Sequence, residues 1–259
     1  MASYDYCTVE RDGHLLFVTL NRPGVMNALH PPANFELALV FDEFAADPEL
    51  WVAIITGAGD RAFCAGNDLK FQAAGNDMGQ PDAGFGGIAN RFGLNKPIIA
   101  AVNGVAMGGG FEIALACDII VASDNALFAL PEPKVGLAAL AGGLARLPRH
   151  IGMKRAMSMI LTGRHVPAAE GASLGFVAEV VSQAELMDTA RRWANMILEC
   201  SPMSIQASKE AAYASFDAES LETAVKTRYP ATNALFASDD FVEGPLAFSE
   251  KRPPQWKGR

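Results

Sequence analysis

Lys96-Pro-Ile-Ile-Ala-Ala-Val-Asn-Gly104-Val-Ala-Met-Gly108-Gly109-Gly110-Phe-Glu112-Ile-Ala-Leu-Ala-Cys-Asp118 reads as three consecutive pieces. Lys96–Val102 is a short apolar run of the kind that forms a buried strand. Gly104 to Gly110 is a glycine-rich turn, and Gly110–Ala116 is a helix with almost no polar face. Glycines let the backbone take φ values other residues resist and approach a ligand closely. The helix that follows points free N–H groups and the positive end of its dipole at the turn. That suits stabilisation of a developing oxyanion. Tight packing alone would also use these glycines, and the stretch by itself does not separate the two readings.

Glu112 bears on that choice. It lies in the first turn of an otherwise apolar helix, and glutamates are rarely buried without a partner or a task. Desolvation would favour its neutral form and bring its pKa towards a useful acid–base range. A helix-start glutamate favoured by the dipole is the plainer alternative. In Phe128-Ala-Leu-Pro131-Glu132-Pro133-Lys134 a second carboxylate stands between two prolines, which restrict where it can swing. Two carboxyl groups near one oxyanion site would suit proton transfer beside a carbonyl, although Glu132 taken alone also reads as an exposed turn residue. Phe63-Cys-Ala-Gly66-Asn67-Asp68-Leu69-Lys70 follows a strand and has a backbone N–H to offer as a second oxyanion donor.

Outward from this centre, β-rich runs alternate with helical patterns. Strands are expected at His14–Leu20, Trp51–Gly57, Asp118–Ala122 and Phe176–Val181. Helices are expected at Pro31–Ala46, with Phe35, Leu39 and Phe44 near one face, and at Gly152–Leu161 and Ala184–Glu199. The alternation predicts an α/β domain with largely parallel pairing. Past Ser201 only helices are expected, at Ile205–Phe216 and Leu221–Phe236. This divides the chain into a core, 1–200, and a C-terminal helical subdomain, 201–259. Gln72–Asn90 is a long, aperiodic loop, often a functional element.

Composition narrows the function classes. Half of the 259 residues are hydrophobic and the net charge is −8, so a sizeable core is available and nucleic acid is not an expected partner. Lys251, Arg252, Lys257 and Arg259 crowd the C-terminus, which fits a solvated basic tail. Four scattered cysteines suggest neither a zinc site nor a disulfide framework. Met1–Arg11 lacks the apolar core of a signal peptide, and Glu112 and Asp118 interrupt the longest apolar runs. A cytoplasmic protein without a membrane span is expected. Two motif matches fail on context. Gly171-Ala-Ser173-Leu-Gly175 matches a nucleophile elbow but has helix before strand and no later histidine. Gly84-Phe-Gly86-Gly87-Ile-Ala89, the one hint of a dinucleotide-dependent oxidoreductase, has no strand before it.

Taken in order, these segments resemble the crotonase (enoyl-CoA hydratase/isomerase) superfamily over nearly the whole chain. The match runs from Asn21-Arg22-Pro23 and Asn27-Ala28-Leu29 through Phe63–Lys70 and Lys96–Asp118. It continues in Pro131-Glu132, Gly142-Gly143, Thr162-Gly163-Arg164 and the tail. The resemblance implies a spiral of ββα units and a C-terminal helical trimerisation subdomain, with trimers that often pair into hexamers. It implies that the thioester oxygen of an acyl-CoA accepts hydrogen bonds from the N–H groups of Asn67 and Gly109. It implies that Glu112 and Glu132 are the acid–base pair, Glu112 acting on water and Glu132 on the α-carbon proton. Lys70, Phe248 and Lys251 are implied to contact CoA, a second account of the basic tail. The activity this implies is enoyl-CoA hydration, which requires no metal or redox cofactor, CoA being part of the substrate.

Val180-Val-Ser-Gln-Ala-Glu-Leu-Met187, Glu243-Gly-Pro-Leu-Ala-Phe248 and Trp256-Lys-Gly-Arg259 resemble the carnitinyl-CoA dehydratases within that superfamily. Leu137-Ala-Ala-Leu140-Ala-Gly-Gly143 departs from them, because they tend to have Pro-Asp before a Ser-Gly-Gly turn. Leu140 also stands where dienoyl-CoA isomerases carry a proton-moving aspartate. The departure speaks against dienoyl isomerisation and weakens the case for a carnitine-type substrate. A non-catalytic acyl-CoA binder is the expectation of another class. Two costly carboxylates beside an apolar site speak against it.

Overall fold

Residues 4–259 are described by a computed structural model. The apolar, β-branched runs form strands that share one large sheet. β1 (Cys7–Asp12) pairs antiparallel with β2 (Leu15–Leu20), and α1 (Pro31–Ala46) then crosses to β3 (Val52–Gly57). β4 (Ala62–Cys64) and α2 (Leu69–Ala73) follow, then β5 (Ile98–Val102), β6 (Val105–Met107) and α3 (Gly109–Ala116). β7 (Ile119–Ser123) and β8 (Leu127–Ala129) precede α4 (Gly143–Ile151) and α5 (Met153–Ile160). After β9 (Val166–Pro167), α6 (Ala168–Leu174), β10 (Glu179–Val181) and α7 (Leu186–Leu198), the described chain is helical: α8 (Pro202–Ser215), α9 (Leu221–Lys226), α10 (Pro230–Phe236) and α11 (Asp239–Glu250).

The large sheet has the order β1-β2-β3-β5-β7-β10, parallel from β2 onward. A smaller sheet has the order β4-β6-β8-β9, with β4, β6 and β8 parallel. The three windings β3–β4, β5–β6 and β7–β8 thus each place the first strand in the large sheet and the second in the small one. This is the spiral of ββα units that the resemblance implied. Asn103, buried where one winding turns from β5 to β6, donates to the carbonyls of Gly57 and Gly59 of the winding before.

Both faces of the large sheet are covered, so β3 is buried along its whole length. Val52 and Ile54 pack with Ile99 and Val121 against Leu186, Ala190 and Ala194 of α7. Ala53 and Ile55 face the spiral interior with Leu37, Phe41, Phe44 and Phe111.

Several expectations need correction. On α1, Phe44 is buried, but Phe35 and Leu39 are 52 % and 51 % exposed, and Leu37, Val40 and Phe41 form the inner face instead. α1 is apolar on several faces, so composition did not single out the buried one. Leu221–Phe236 is two helices, because Pro230 starts a new helix and Tyr229 before it is extended. Asp239–Glu250 is a further helix, capped by the Ser238 side chain accepting from Phe241 N–H. The basic tail is not simply solvated. Asp240 accepts from Lys257 N–H, Trp256 donates to the Glu199 carbonyl, and Arg252 pairs with Glu243 and Glu250. No helix among the described residues is long and apolar enough to cross a membrane.

Candidate active site

The three parallel strands of the small sheet end side by side, and the predicted residues follow those ends. Asn67 comes three residues after β4, Gly109 two after β6, and Glu132 three after β8. Topology therefore gathers residues that are up to sixty-five positions apart in sequence.

At the first strand end, Leu29 N–H donates to the Gly66 carbonyl and Asp68 N–H donates to the Leu29 carbonyl, both at 2.8 Å. This bridge uses the groups on either side of Asn67, so the N–H of Asn67 itself faces away from Leu29. Asp68 also caps α2 and pairs with the Arg22 guanidinium at 3.1 Å. A Cβ added to Gly66 would lie 3.2 Å from Gly109 N, which shows how closely the first two strand ends abut.

At the second, Gly108 takes φ +53° and Gly109 opens α3. As the first helical residue, Gly109 has an N–H without an intrahelical partner. The Phe85 ring lies against it, since a Cβ added there would meet the ring at 2.4 Å. Glu112, 3 % exposed, sits one turn further on, and its Oε1 accepts from Gly143 N–H at 2.8 Å. Burial pushes the Glu112 carboxyl from 4.5 up to about 7, and the charge of Glu132 adds to that. The main chain of Gly143 and Ala141 and the charge of Arg146 offset it in part.

At the third, Glu132 begins a 3-10 turn, Glu132–Val135, held by Pro131 before it. Its carboxylate overhangs the glycine turn, because a Cβ added to Gly108 would stand 2.8 Å from Glu132 Oε1. Gly108 thus has two reasons to be glycine, its positive φ and this approach. Glu132 Oε2 is buried without a hydrogen-bond partner among the described residues, and burial raises this carboxyl too.

The structure therefore brings together Glu112, Glu132, Asn67 and Gly109. Lys70 is exposed on α2, one turn beyond Asn67. Phe248, 87 % exposed, and Lys251 lie at the end of α11, which packs on α8 and α10. No hydrogen bond or ion pair among the described residues ties them to the glutamates or to Lys70. Sequence reasoning missed the Phe85 ring, the Gly143 amide and the Arg22–Asp68 pair. The first two come from segments without periodicity. Asp68 carried a signal, since an Asp opening a short helix reads as a cap. A surface groove lined by Asp188, Arg191, Arg192 and Glu199 lies on α7, across the large sheet from the glutamates. The two rejected motifs stay rejected. Ser173 is exposed in α6 ahead of β10, and the Gly84–Ala89 stretch holds only a 3-10 turn, Phe85–Gly87, with no strand leading into it.

A stability test follows from the Glu112 environment. The folded chain holds this proton more tightly than the unfolded chain, whose carboxyl titrates near 4.5. The associated stability is complete below about 4.5 and is lost as pH rises through about 7, roughly 3 kcal/mol in all. Glu112→Gln, which does not titrate, is expected to be the more stable protein above about pH 7, with the advantage gone near 4.5. Denaturant unfolding at both ends of that window checks it. Equal stability of the two proteins throughout would show that the carboxyl is not desolvated.

Comparison with known proteins bears on the chain as a whole. Residues 10–259 match the family model described as enoyl-CoA hydratase/isomerase. Carnitinyl-CoA dehydratase of Escherichia coli (strain K12) is 47 % identical over 261 residues, covering 96 % of this chain and 97 % of that protein. The protein of that name in Proteus mirabilis (strain HI4320) is 46 % identical, covering 95 % and 96 %. The crystal structure of enoyl-CoA hydratase from Mycobacterium tuberculosis H37Rv superimposes with a TM-score of 0.91 at 37 % identity, covering 98 % of this chain and 99 % of that one. By sequence and by fold, this chain belongs to the enoyl-CoA hydratase/isomerase family.

Proposed function

We propose that this chain is a hydro-lyase that adds water reversibly to the double bond of a 2-enoyl-CoA thioester. The observation that carries this reading is the convergence of Glu112 and Glu132 on the Gly108–Gly109 turn. In the proposed reaction the thioester oxygen accepts from the N–H groups of Asn67 and Gly109. Attack at the β-carbon moves charge onto that oxygen, and one preorganised donor is typically worth about 10²–10³ in rate. Glu112 takes a proton from the attacking water, whose oxygen bonds to the β-carbon, and Glu132 delivers a proton to the α-carbon. Elimination is the same path reversed. The proposed reaction requires no metal or redox cofactor, and CoA enters only as part of the substrate. Lys70, Phe248 and Lys251 are the proposed contacts to CoA.

A second reading, dehydration of carnitinyl-CoA, is favoured by the 47 % identity to proteins of that name. Purified protein offered crotonyl-CoA and longer enoyl-CoAs, with loss of enoyl absorbance followed, tests the first. Failure to turn over any chain length would remove it. Side-by-side kinetics with crotonobetainyl-CoA separates the two.

We take 1–200 as the catalytic core and 201–259 as an oligomerisation subdomain. Exposed Phe216, Leu221, Val225 and Val242 in the helical layer support burial against further copies, as a trimer or a pair of trimers. The four free cysteines fit a reducing, cytoplasmic setting.

A further inference from the structure

The segment that joins the two glutamates in space is fastened to both of them. Leu137 N–H donates to the Glu132 carbonyl at 3.0 Å, and Gly143 N–H donates to Glu112 Oε1 at 2.8 Å. Leu140 lies three residues from each tie, so its Cα stays within about 10 Å of both anchors. The next residue back, Ala139, turns inward, whereas Leu140 is 81 % exposed and Leu137 is also exposed. A leucine held out in solvent, on a segment tied to the Glu132 main chain and the Glu112 carboxyl, is apolar surface that a bound acyl chain would cover.

Charge points the same way. No Asp or Glu occurs between Glu132 and Glu170. Arg149 and Arg164 of this stretch pair with Asp217 and Glu170, while Lys134, Arg146, Lys154 and Arg155 have no ion pair among the described residues. Arg146 donates to the Ala89 carbonyl at 2.8 Å, with its guanidinium 5.4 Å from the Phe92 ring centroid. Its charge acts on Glu112. The long loop contributes Asp77 and Asp82, both exposed and solvated. Asp68, buried beside Asn67, is already paired with Arg22. Apart from the reacting pair, a fixed cation on the acyl group would therefore find no unpaired carboxylate in these segments, and an unpaired buried charge is costly.

We propose that Leu140, seconded by Leu137, sets acyl specificity and selects an uncharged, apolar acyl group over one that carries a trimethylammonium. This rests on the hydro-lyase reading above, and the experiment separates the two. kcat/KM is measured for the parent, Leu140→Asp and Leu140→Asn on 2-hexenoyl-CoA and on the γ-trimethylammonium enoyl-CoA, with crotonyl-CoA as reference. The parent is expected to favour hexenoyl-CoA by about tenfold or more, within the range a hydrophobic pocket discriminates. Leu140→Asp should move that ratio towards the cation by about tenfold, and Leu140→Asn by less. A parent that prefers the cationic thioester overturns the specificity claim and leaves the lyase reading standing. So does a ratio that Leu140→Asp and Leu140→Asn both leave unmoved, including the case where only oligomer size, followed by gel filtration, changes. Absence of turnover on all three thioesters removes the lyase reading, and the specificity claim with it.

Discussion

Glu132→Gln is expected to slow hydration of crotonyl-CoA by about 10²–10⁴-fold, the usual worth of a positioned acid or base, while the fold survives. Glutamine keeps the shape and the half-buried position beside Pro131 and removes only the transferable proton. Glu112→Gln is expected to lose activity to a similar extent. Its carbonyl oxygen still accepts from Gly143 N–H, so the tie between α3 and α4 is kept and the loss is chemical. Because the two carboxyl groups act in one step, the double variant should fall little below either single one. kcat and KM are measured together with circular dichroism. Near-parental kcat in both single variants would end the two-glutamate mechanism.

Gly110→Ala is expected to be the most damaging single methyl group in the chain. A Cβ there would stand 1.9 Å from the Cys64 carbonyl oxygen and 2.7 Å from its carbon, both backbone atoms. Neither is the end of a flexible side chain, so α3 and β4 must move apart. Overpacking of this kind costs typically 1–3 kcal/mol and occasionally more. A loss of about 3 kcal/mol would lower Tm by roughly 6–12 °C in a protein of this size. The same displacement pulls Gly109 from Asn67, so activity should fall in the fraction that remains folded. Gly24→Ala is the control, with nothing within 4 Å of its added methyl. Thermal melts of both variants decide the matter, and matching melting temperatures would show that the strand end yields easily.

Some of this was legible in the sequence and some was not. Pro31 at the first helical position marked α1 to the residue, and runs such as Ala53-Ile-Ile55 marked the large-sheet strands to within a few positions. The small sheet was invisible because β4, β6 and β8 are three residues each and made mostly of small or ordinary apolar residues. Three residues hold no period. β1, an edge strand carrying Glu10, Arg11 and Asp12, has too much charge to look like a strand. Glu112 stood out because a charged residue in an apolar helix is conspicuous. Phe85 and Gly143 did not, since what matters there is which distant atom they touch, and spacing along one chain does not encode that.

Asn67, Gly109 and Glu132 occupy one equivalent address in three consecutive windings. An amide, an amide with an acid one turn on, and a second acid are thus variations on a repeated module. Inserting or deleting a single residue in any small-sheet strand would put one address out of phase with its neighbours. Drift in length is therefore confined to the connections between windings, and 74–82, the largely exposed stretch after α2, has the freedom that the strands lack.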